Sequence, residues 1–546
     1  ANIMKMYLGA KKSPELAYGA LEGKQPPVAI LVAARHEPKS ILENTFMTLR
    51  NINYQNKKIY FLDDSSEEKY MGEADKLCKD YGLILFRRKE RHGAKAGIIN
   101  DCLKNLTDDY IAIFDADQNP LPEFLNVLVP IMEKNKKLAF IQTPQFYSNI
   151  EESRVARAAA FQQAVFYEYI CEGKSSGGAM FCCGTNVIFR REALAAVGGL
   201  DELTVTEDFA TSIKFHASGW ESLYYNHVYA FGMGPNDLTG YFKQQFRWAS
   251  GTISVFKKVI RRFLNKPFSL SLFQWWEYLL SGSYYLIGIA FFILMICPIV
   301  YLLFKVPSFF AKPEVYFLAF VPYFILSLSV FYFILARRHY KAKDLFLGQL
   351  LASITFSVYI DGAIAALSGR KTTFGITAKG KGSAMSYVSL WPQIFMIFLN
   401  FIAFTWSINR FIYERNVAVL VNGIWTLYYF AILCSIFYFN TPDTREIPCK
   451  RVMKRLKFGY KVLEGEQKYL RDTWKECISI FFPEQLGAGA FLMVKLYLPD
   501  AGQTVIFEAS VIRSLPRRWF SGFDTELGIT YISPNDKEKL EKVLGK

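Results

Sequence analysis

DYIAIFDADQNP, residues 109–120, is a short apolar run that closes on two carboxylates, Asp115 and Asp117, spaced D-x-D. A strand that ends in paired acids suits a site holding a divalent cation together with phosphates. Working outward, the same pattern recurs in PPVAILVAARHEP (26–38), KKIYFLDDSS (57–66) and GLILFRR (82–88), where each apolar run ends in polar residues. Polar helical stretches separate these runs. This alternation predicts parallel strands of an α/β sheet over residues 28–250, with ligand-binding groups at the carboxyl ends.

The chain of 546 residues is long enough for roughly three or four domain-sized units. Hydrophobic residues make up 51% and charged residues 21%, and long uncharged stretches alternate with charged ones, so soluble domains joined to a membrane block are expected. The net charge of +15 gathers beside the apolar spans, which favours anionic lipid head groups over nucleic acid as its partner. Nine cysteines show no paired CxxC spacing and read as reduced thiols rather than a zinc site. The first residue is Ala1 and no signal peptide opens the chain, so upstream sequence is expected to be missing. Residues 1–27 form a lead-in.

Beyond the α/β domain, residues 251–277 carry Lys257, Lys258, Arg261, Arg262 and Lys266 with Trp275 and Trp276, a basic amphipathic stretch suited to a membrane interface. Within a membrane region at 278–440, the segments 278–304, 315–336, 387–407 and 417–440 are uncharged and long enough to cross a hydrocarbon core of about 30 Å. Segment 345–369 is apolar but holds Asp361 and is flanked by basic clusters, so it is expected to lie along the interface. Four crossings would place both ends of the region on the cytoplasmic side. After residue 441, alternating runs such as FLMVKLYLP and TVIFEASVI, followed by PNDKEKLEKVL, predict a small antiparallel β-barrel closed by a helix.

Further candidate site residues stand at the ends of these elements. Asp63 and Asp64 end the second strand, where carboxylates can hydrogen-bond a nucleobase or ribose. Lys95 in GAKAGIIN can offset phosphate charge, with a solvated surface lysine as the alternative. Glu207 and Asp208 in TVTEDFATS form a second acidic pair. Asp208 is the candidate base for an acceptor hydroxyl. The alternative is a helix start capped by Thr206 with acidic residues in its first turn. QQFRWASG supplies Gln244, Arg247 and Trp248 in the pattern QxxRW. Arginine can grip a pyrophosphate oxygen pair, and tryptophan offers a flat face to a sugar ring.

Taken together, DDS, AKAG, DAD, QTP, FCCGTN, TED and QxxRW resemble the processive family 2 glycosyltransferases, bacterial cellulose synthase catalytic subunits above all. The resemblance implies a cytoplasmic GT-A catalytic domain, a helical transmembrane bundle and a C-terminal PilZ-like β-barrel at 441–546. It assigns donor (UDP) contacts to Asp63, Asp64, Lys95, Asp115, Asp117, Gln244 and Arg247. Mg2+ or Mn2+ would be held by Asp115 and Asp117, the catalytic group would be Asp208 with Glu207 and Thr206, and Trp248 would meet the acceptor. TFGITAKG resembles a gating loop over 370–384, with Phe374, Thr377 and Lys379 at the matching positions. Arg451 and Arg455 match the RxxxR of a cyclic di-GMP receptor, although no DxSxxG follows them.

The implied activity is transfer of glucose from UDP-glucose onto a growing β-glucan (cellulose, β-1,3 or mixed β-1,3/1,4). The polysaccharide would be secreted across a bacterial cytoplasmic membrane, with cyclic di-GMP as an activator and an accessory secretion subunit as a partner. FCCGTN, Ile376 and Ala378 depart from the cellulose synthase forms and leave chitin, hyaluronan or mannan as alternative polymers. A catalytically silent membrane nucleotide receptor is the reading from another class. The presence of Asp208 and Arg247 argues against it.

Overall fold

The computed structural model describes residues 25–150, 153–307, 313–337, 340–370, 383–441, 457–463, 477–482, 485–487, 490–498, 503–516 and 523–544. It separates into two compact units, Ala1–Thr45 with Asn53–Asp443 and Phe46–Ile52 with Thr444–Lys546. Phe374, Thr377, Lys379, Arg451 and Arg455 lie outside the described residues.

The first unit is built on a sheet ordered β3-β2-β1-β4-β8-β6-β9. Its strands are β1 (Val28–Ala34), β2 (Lys57–Asp63), β3 (Ile84–Phe86), β4 (Tyr110–Asp115), β6 (Leu138–Gln142), β8 (Val187–Arg190) and β9 (Glu221–Tyr224). β3, β2, β1 and β4 run parallel, whereas β8 is antiparallel to both β4 and β6. Val28 through Val32 are buried without alternation, as expected of a strand covered on both faces. Register then sets the site. Ala34 lies opposite Asp63 while Ala33 lies opposite Asp115, so these two carboxylates end neighbouring strands on either side of β1. A smaller sheet, ordered β5-β10-β7, joins β5 (Asn119–Pro120), β7 (Phe146–Tyr147) and β10 (Ala230–Gly232) beside that edge.

The boundary expected at 250/251 falls inside one continuous helix, Leu238–Asn265, which carries QxxRW in its first half and the basic stretch in its second. No Gly or Pro interrupts the middle of that run in a way that stops it: Gly251 is tolerated because it packs against Thr206, where a Cβ would meet the threonine methyl at 2.6 Å. A second helix, Leu272–Ser283, begins with a capping box between Ser271 and Gln274 and exposes Leu272 and Trp276.

Three described helical stretches are long and apolar enough to cross a membrane: Leu272–Phe304, Tyr387–Glu414 and Val417–Asn440. The expected span at 315–336 falls in the helix Pro313–Arg337. The expected interfacial segment is a pair of helices, Ala342–Ile354 and Phe356–Ser368, bent by 47° at a break between them. Thr355 fills the break, fully buried, with its hydroxyl turned back onto Leu351 O at 2.6 Å. Small residues allow close crossings in the bundle: a Cβ on Gly423 would lie 2.5 Å from Ser407 Oγ.

In the second unit, five antiparallel strands are ordered β11-β13-β14-β15-β12. They are β11 (Lys457–Leu463), β12 (Cys477–Phe482), β13 (Phe491–Leu498), β14 (Gln503–Pro516) and β15 (Phe523–Ile532). Val494, Val505, Phe507, Val511 and Leu527 form its core with Leu540 of the helix Pro534–Leu544. Among the described residues β11 and β12 stand at the two ends of this order.

Candidate active site

The strand-end carboxylates are fixed by a basic loop. Asp63 is buried, with one oxygen accepting from the Ser65 amide at 3.0 Å and the other from Arg87 Nε at 2.8 Å. Asp64 takes a two-pronged contact from Arg88, whose Nε and Nη2 each lie at 2.9 Å, and a third bond from Arg91 Nε at 2.9 Å. Three arginines thus frame the acidic pair. Asp63 spends its oxygens on internal partners, which suits it to holding the strand end; Asp64, Arg88 and Arg91 form the outer layer. The basic run RRKER, residues 87–91, was the available signal for this frame. His36 braces the same edge. Its Nε2 accepts from the Ser66 amide at 3.0 Å and its ring stacks on Tyr70 at 5.1 Å.

Lys95 enters at the start of the helix Ala94–Leu103, after a left-handed turn at Gly93 and Ala94. Its ammonium donates to Asp115 Oδ1 and, at 2.7 Å, to Gly184 O. Burial pulls its pKa down, but the charges of Asp115, Glu207 and Asp208 more than offset this and hold the ammonium protonated. The Asp115 amide donates to Thr185 Oγ1 at 2.9 Å, which ties the D-x-D turn to FCCGTN. Among the described residues no three His, Cys, Asp or Glu side chains converge to hold a metal by themselves. The D-x-D pair nevertheless fits an ion that draws its remaining oxygens from donor phosphates and water. The Asp115 side chain is 43% exposed at the strand end, open to such a ligand.

Glu207 and Asp208 occupy the first turn of the helix Glu207–Ala217. Capping by Thr206 is not what holds them there: its hydroxyl makes no cap bond and is buried without a partner. Anchoring comes from the side, since Ser212 Oγ accepts from the Cys182 amide at 2.8 Å and donates to Asp208 O at 2.7 Å. Asp208 Oδ1 accepts from the Phe209 amide at 2.8 Å. Its Oδ2 faces Gly184, whose φ of +83° disfavours any side chain and where a Cβ would lie 3.0 Å from that oxygen. Burial pushes both carboxyls up from the usual range; for Glu207 the charge of Asp208 adds to it, and Lys95 opposes the shift in both. Lys95, Gly184, Cys182, Glu207 and Asp208 line one small cavity. It therefore brings together the Lys95 ammonium and the Glu207 and Asp208 carboxylates.

QxxRW lies on one face of the Leu238–Asn265 helix, as i, i+3, i+4 spacing requires. Gln244, Arg247 and Trp248 are all half-buried, and Gln244 Oε1 is buried without a partner. Asp237 caps this helix through Gly240 N at 2.8 Å, and its second oxygen accepts from Ser383 N at 3.1 Å, near the end of the 370–384 segment. A tyrosine and glutamine network missed by sequence reading binds the helix to its neighbours. Tyr241 donates to Gln162 Oε1 at 2.6 Å, Gln162 Nε2 to the Tyr359 hydroxyl at 3.2 Å, and Tyr359 to Gln245 Oε1 at 3.2 Å.

Against known families, residues 26–251 match the model described as glycosyltransferase like family 2, and residues 197–440 match the one described as cellulose synthase. A cellulose synthase catalytic subunit (UDP-forming) of Pseudomonas fluorescens is 26% identical over 511 residues, covering 90% of this chain and 67% of that protein. A counterpart from Komagataeibacter sucrofermentans is 31% identical over 240 residues, or 42% of this chain and 31% of that protein. Among solved structures, a mannosyltransferase from Pyrobaculum calidifontis in complex with GDP-Man and Mn2+ is similar with a TM-score of 0.43 and 16% identity, covering 68% of this chain and 94% of that one.

Proposed function

We propose that this chain, a family 2 glycosyltransferase whose catalytic domain runs into a cellulose synthase membrane segment, is a processive inverting β-glucan synthase that uses UDP-glucose. The observation that carries this reading is the meeting of Lys95, bonded to Asp115 of the D-x-D pair, with the raised carboxylates Glu207 and Asp208 around one cavity. Asp64 just past the end of β2, with Arg88 and Arg91 from the loop after β3, would receive the nucleoside, and Arg247 the diphosphate. Asp115 and Asp117 would hold Mg2+ or Mn2+, which when bound offsets charge on the leaving diphosphate.

In the transfer itself, an acceptor hydroxyl attacks the anomeric carbon from the face opposite UDP. The new C–O bond forms as the bond to UDP breaks, and the hydroxyl proton passes to Asp208. A carboxylate whose proton affinity is raised by burial is better matched to that task than an ordinary solvent-exposed one. Lys95 stays cationic beside the departing phosphates. The membrane helices would then pass the polysaccharide outward, with the catalytic domain and the C-terminal sheet both on the cytoplasmic side of a bacterial inner membrane. Support for a PilZ-like role of that sheet is its five antiparallel strands with a packed C-terminal helix.

Asp208→Asn is the sharpest test of the roles. Polymer synthesis should fall by at least about a hundredfold while UDP binding stays near that of the wild type, because only the proton acceptor is lost. Loss of UDP binding in that variant would overturn the assignment.

A further inference from the structure

The loop that carries Arg88 and Arg91 is fastened at its far end by His92, to which the transfer scheme gives no part. Arg88 is the hub of that loop: its Nε and Nη2 hold Asp64, while Nη1 donates to His92 O at 2.5 Å. The His92 ring then bridges two carboxylates from different elements. Nδ1 lies 2.7 Å from Glu202 Oε2, and Nε2 lies 2.9 Å from Asp101 Oδ2 in the helix Ala94–Leu103. An ionised carboxylate only accepts, so both ring nitrogens donate and the ring is an imidazolium. Each carboxylate is itself held in place, Glu202 by Asn100 Nδ2 at 2.7 Å and Asp101 by Lys104 Nζ at 2.8 Å. Glu202 also closes over Gly93, where a Cβ would meet its Oε2 at 2.5 Å. It stands in the stretch of chain that leads into Glu207 and Asp208.

We propose that His92 is a positioning residue for the donor nucleoside: by bridging Asp101 and Glu202 it pins the Arg88 and Arg91 loop, and through that loop Asp64, to the helix of Lys95 and to the chain leading into Glu207 and Asp208. The inference rests on the donor-site reading of Asp64 and Arg88. Only the doubly protonated ring can hold both carboxylates, since a neutral ring has a single N–H. Four charged groups surround the ring: Asp101 and Glu202 bonded to it, and Arg88 and Lys104 each paired with Asp101. The bond to Glu202 lifts the His92 pKa above the usual 6.5 and Asp101 adds to the rise, against partial desolvation. The bridge is therefore complete below 6.5 and is lost as pH rises through the raised value.

The test is calorimetry of UDP with Mg2+ on the full chain in detergent, at about pH 6 and about pH 9, either side of the imidazole titration. His92→Gln, uncharged, should weaken UDP binding about fivefold at the lower pH, the upper end of what exposed ion pairs contribute. At the higher pH, where the wild-type ring is neutral too, the loss should be under about twofold. The KM for UDP-glucose should follow the same pattern while kcat changes less than about twofold, because His92 acts through the arginine loop rather than on the reacting atoms. In a Glu202→Gln background the His92 substitution should add under about twofold at either pH. Arg88→Ala is the control and should weaken UDP binding at both pH values. Unchanged UDP affinity in His92→Gln at the lower pH, whatever its unfolding midpoint does, or an equal loss at the two pH values, overturns the inference; the donor-site reading then stands if Arg88→Ala still loses affinity. Wild-type affinity in Arg88→Ala would sink the donor-site reading and the inference with it.

Discussion

Asp208 keeps one carboxylate oxygen on the Phe209 amide and turns the other toward Gly184, and burial raises its pKa from 3.8 to about 6. Activity and stability should then respond to pH in opposite senses. The proposed base role requires the ionised form, so kcat/KM should drop about tenfold per unit once pH falls below that raised value. For stability, the native state binds this proton more tightly than the unfolded chain does. Its burial therefore costs stability above the folded value, and the cost fades as pH falls through the window and is gone below 3.8. Asp208→Asn should accordingly raise the unfolding midpoint at pH 8 and lose that advantage near pH 4, as thermal scans at the two pH values would show. Gly184→Ala, which forces a side chain onto a left-handed residue beside Oδ2, should lower turnover roughly 10- to 100-fold in steady-state assays.

Between elements, the buried pair Lys174 and Glu277 joins the helix Cys171–Ser176 to Leu272–Ser283 at 2.6 Å, with Ser281 Oγ also accepting from the ammonium at 2.7 Å. Glu277→Ala leaves a buried cation unpaired and should cost about 3–5 kcal/mol, read as a lower unfolding midpoint in detergent. Replacing both partners by apolar residues, Lys174→Met with Glu277→Leu, should recover much of that loss. No sequence pattern announced this pair, since its members lie 103 residues apart. The same reason separates what was legible from what was not. Asp115 and QxxRW could be read because one closes an apolar run and the other obeys a helical spacing, and Asp208 because it stands in an acidic pair with Glu207. The Asp64 clamp by Arg88 and Arg91 and the Thr185 tie to the D-x-D turn depend on loops meeting across the sheet. The helix Leu238–Asn265 ran through an expected domain boundary because composition changes there while helical periodicity does not.

For the molecule as a whole, the two family matches overlap and together cover 26–440 as one continuous stretch, from the large sheet into the helices that follow it. The chain spans 67% of the length of one relative and 31% of another. Asp117→Ala tests the donor side at this scale. It should abolish metal-dependent binding of UDP, and calorimetry with and without Mg2+ would show whether it does. The most direct test of the central claim is incorporation of radiolabelled glucose from UDP-glucose by the purified full chain in detergent with Mg2+, followed by digestion with linkage-specific glucanases. Labelled, insoluble product that a β-glucanase converts to small sugars is the result expected. UDP binding without any polymer, or a product resistant to every β-glucanase, would contradict the assignment as a β-glucan synthase.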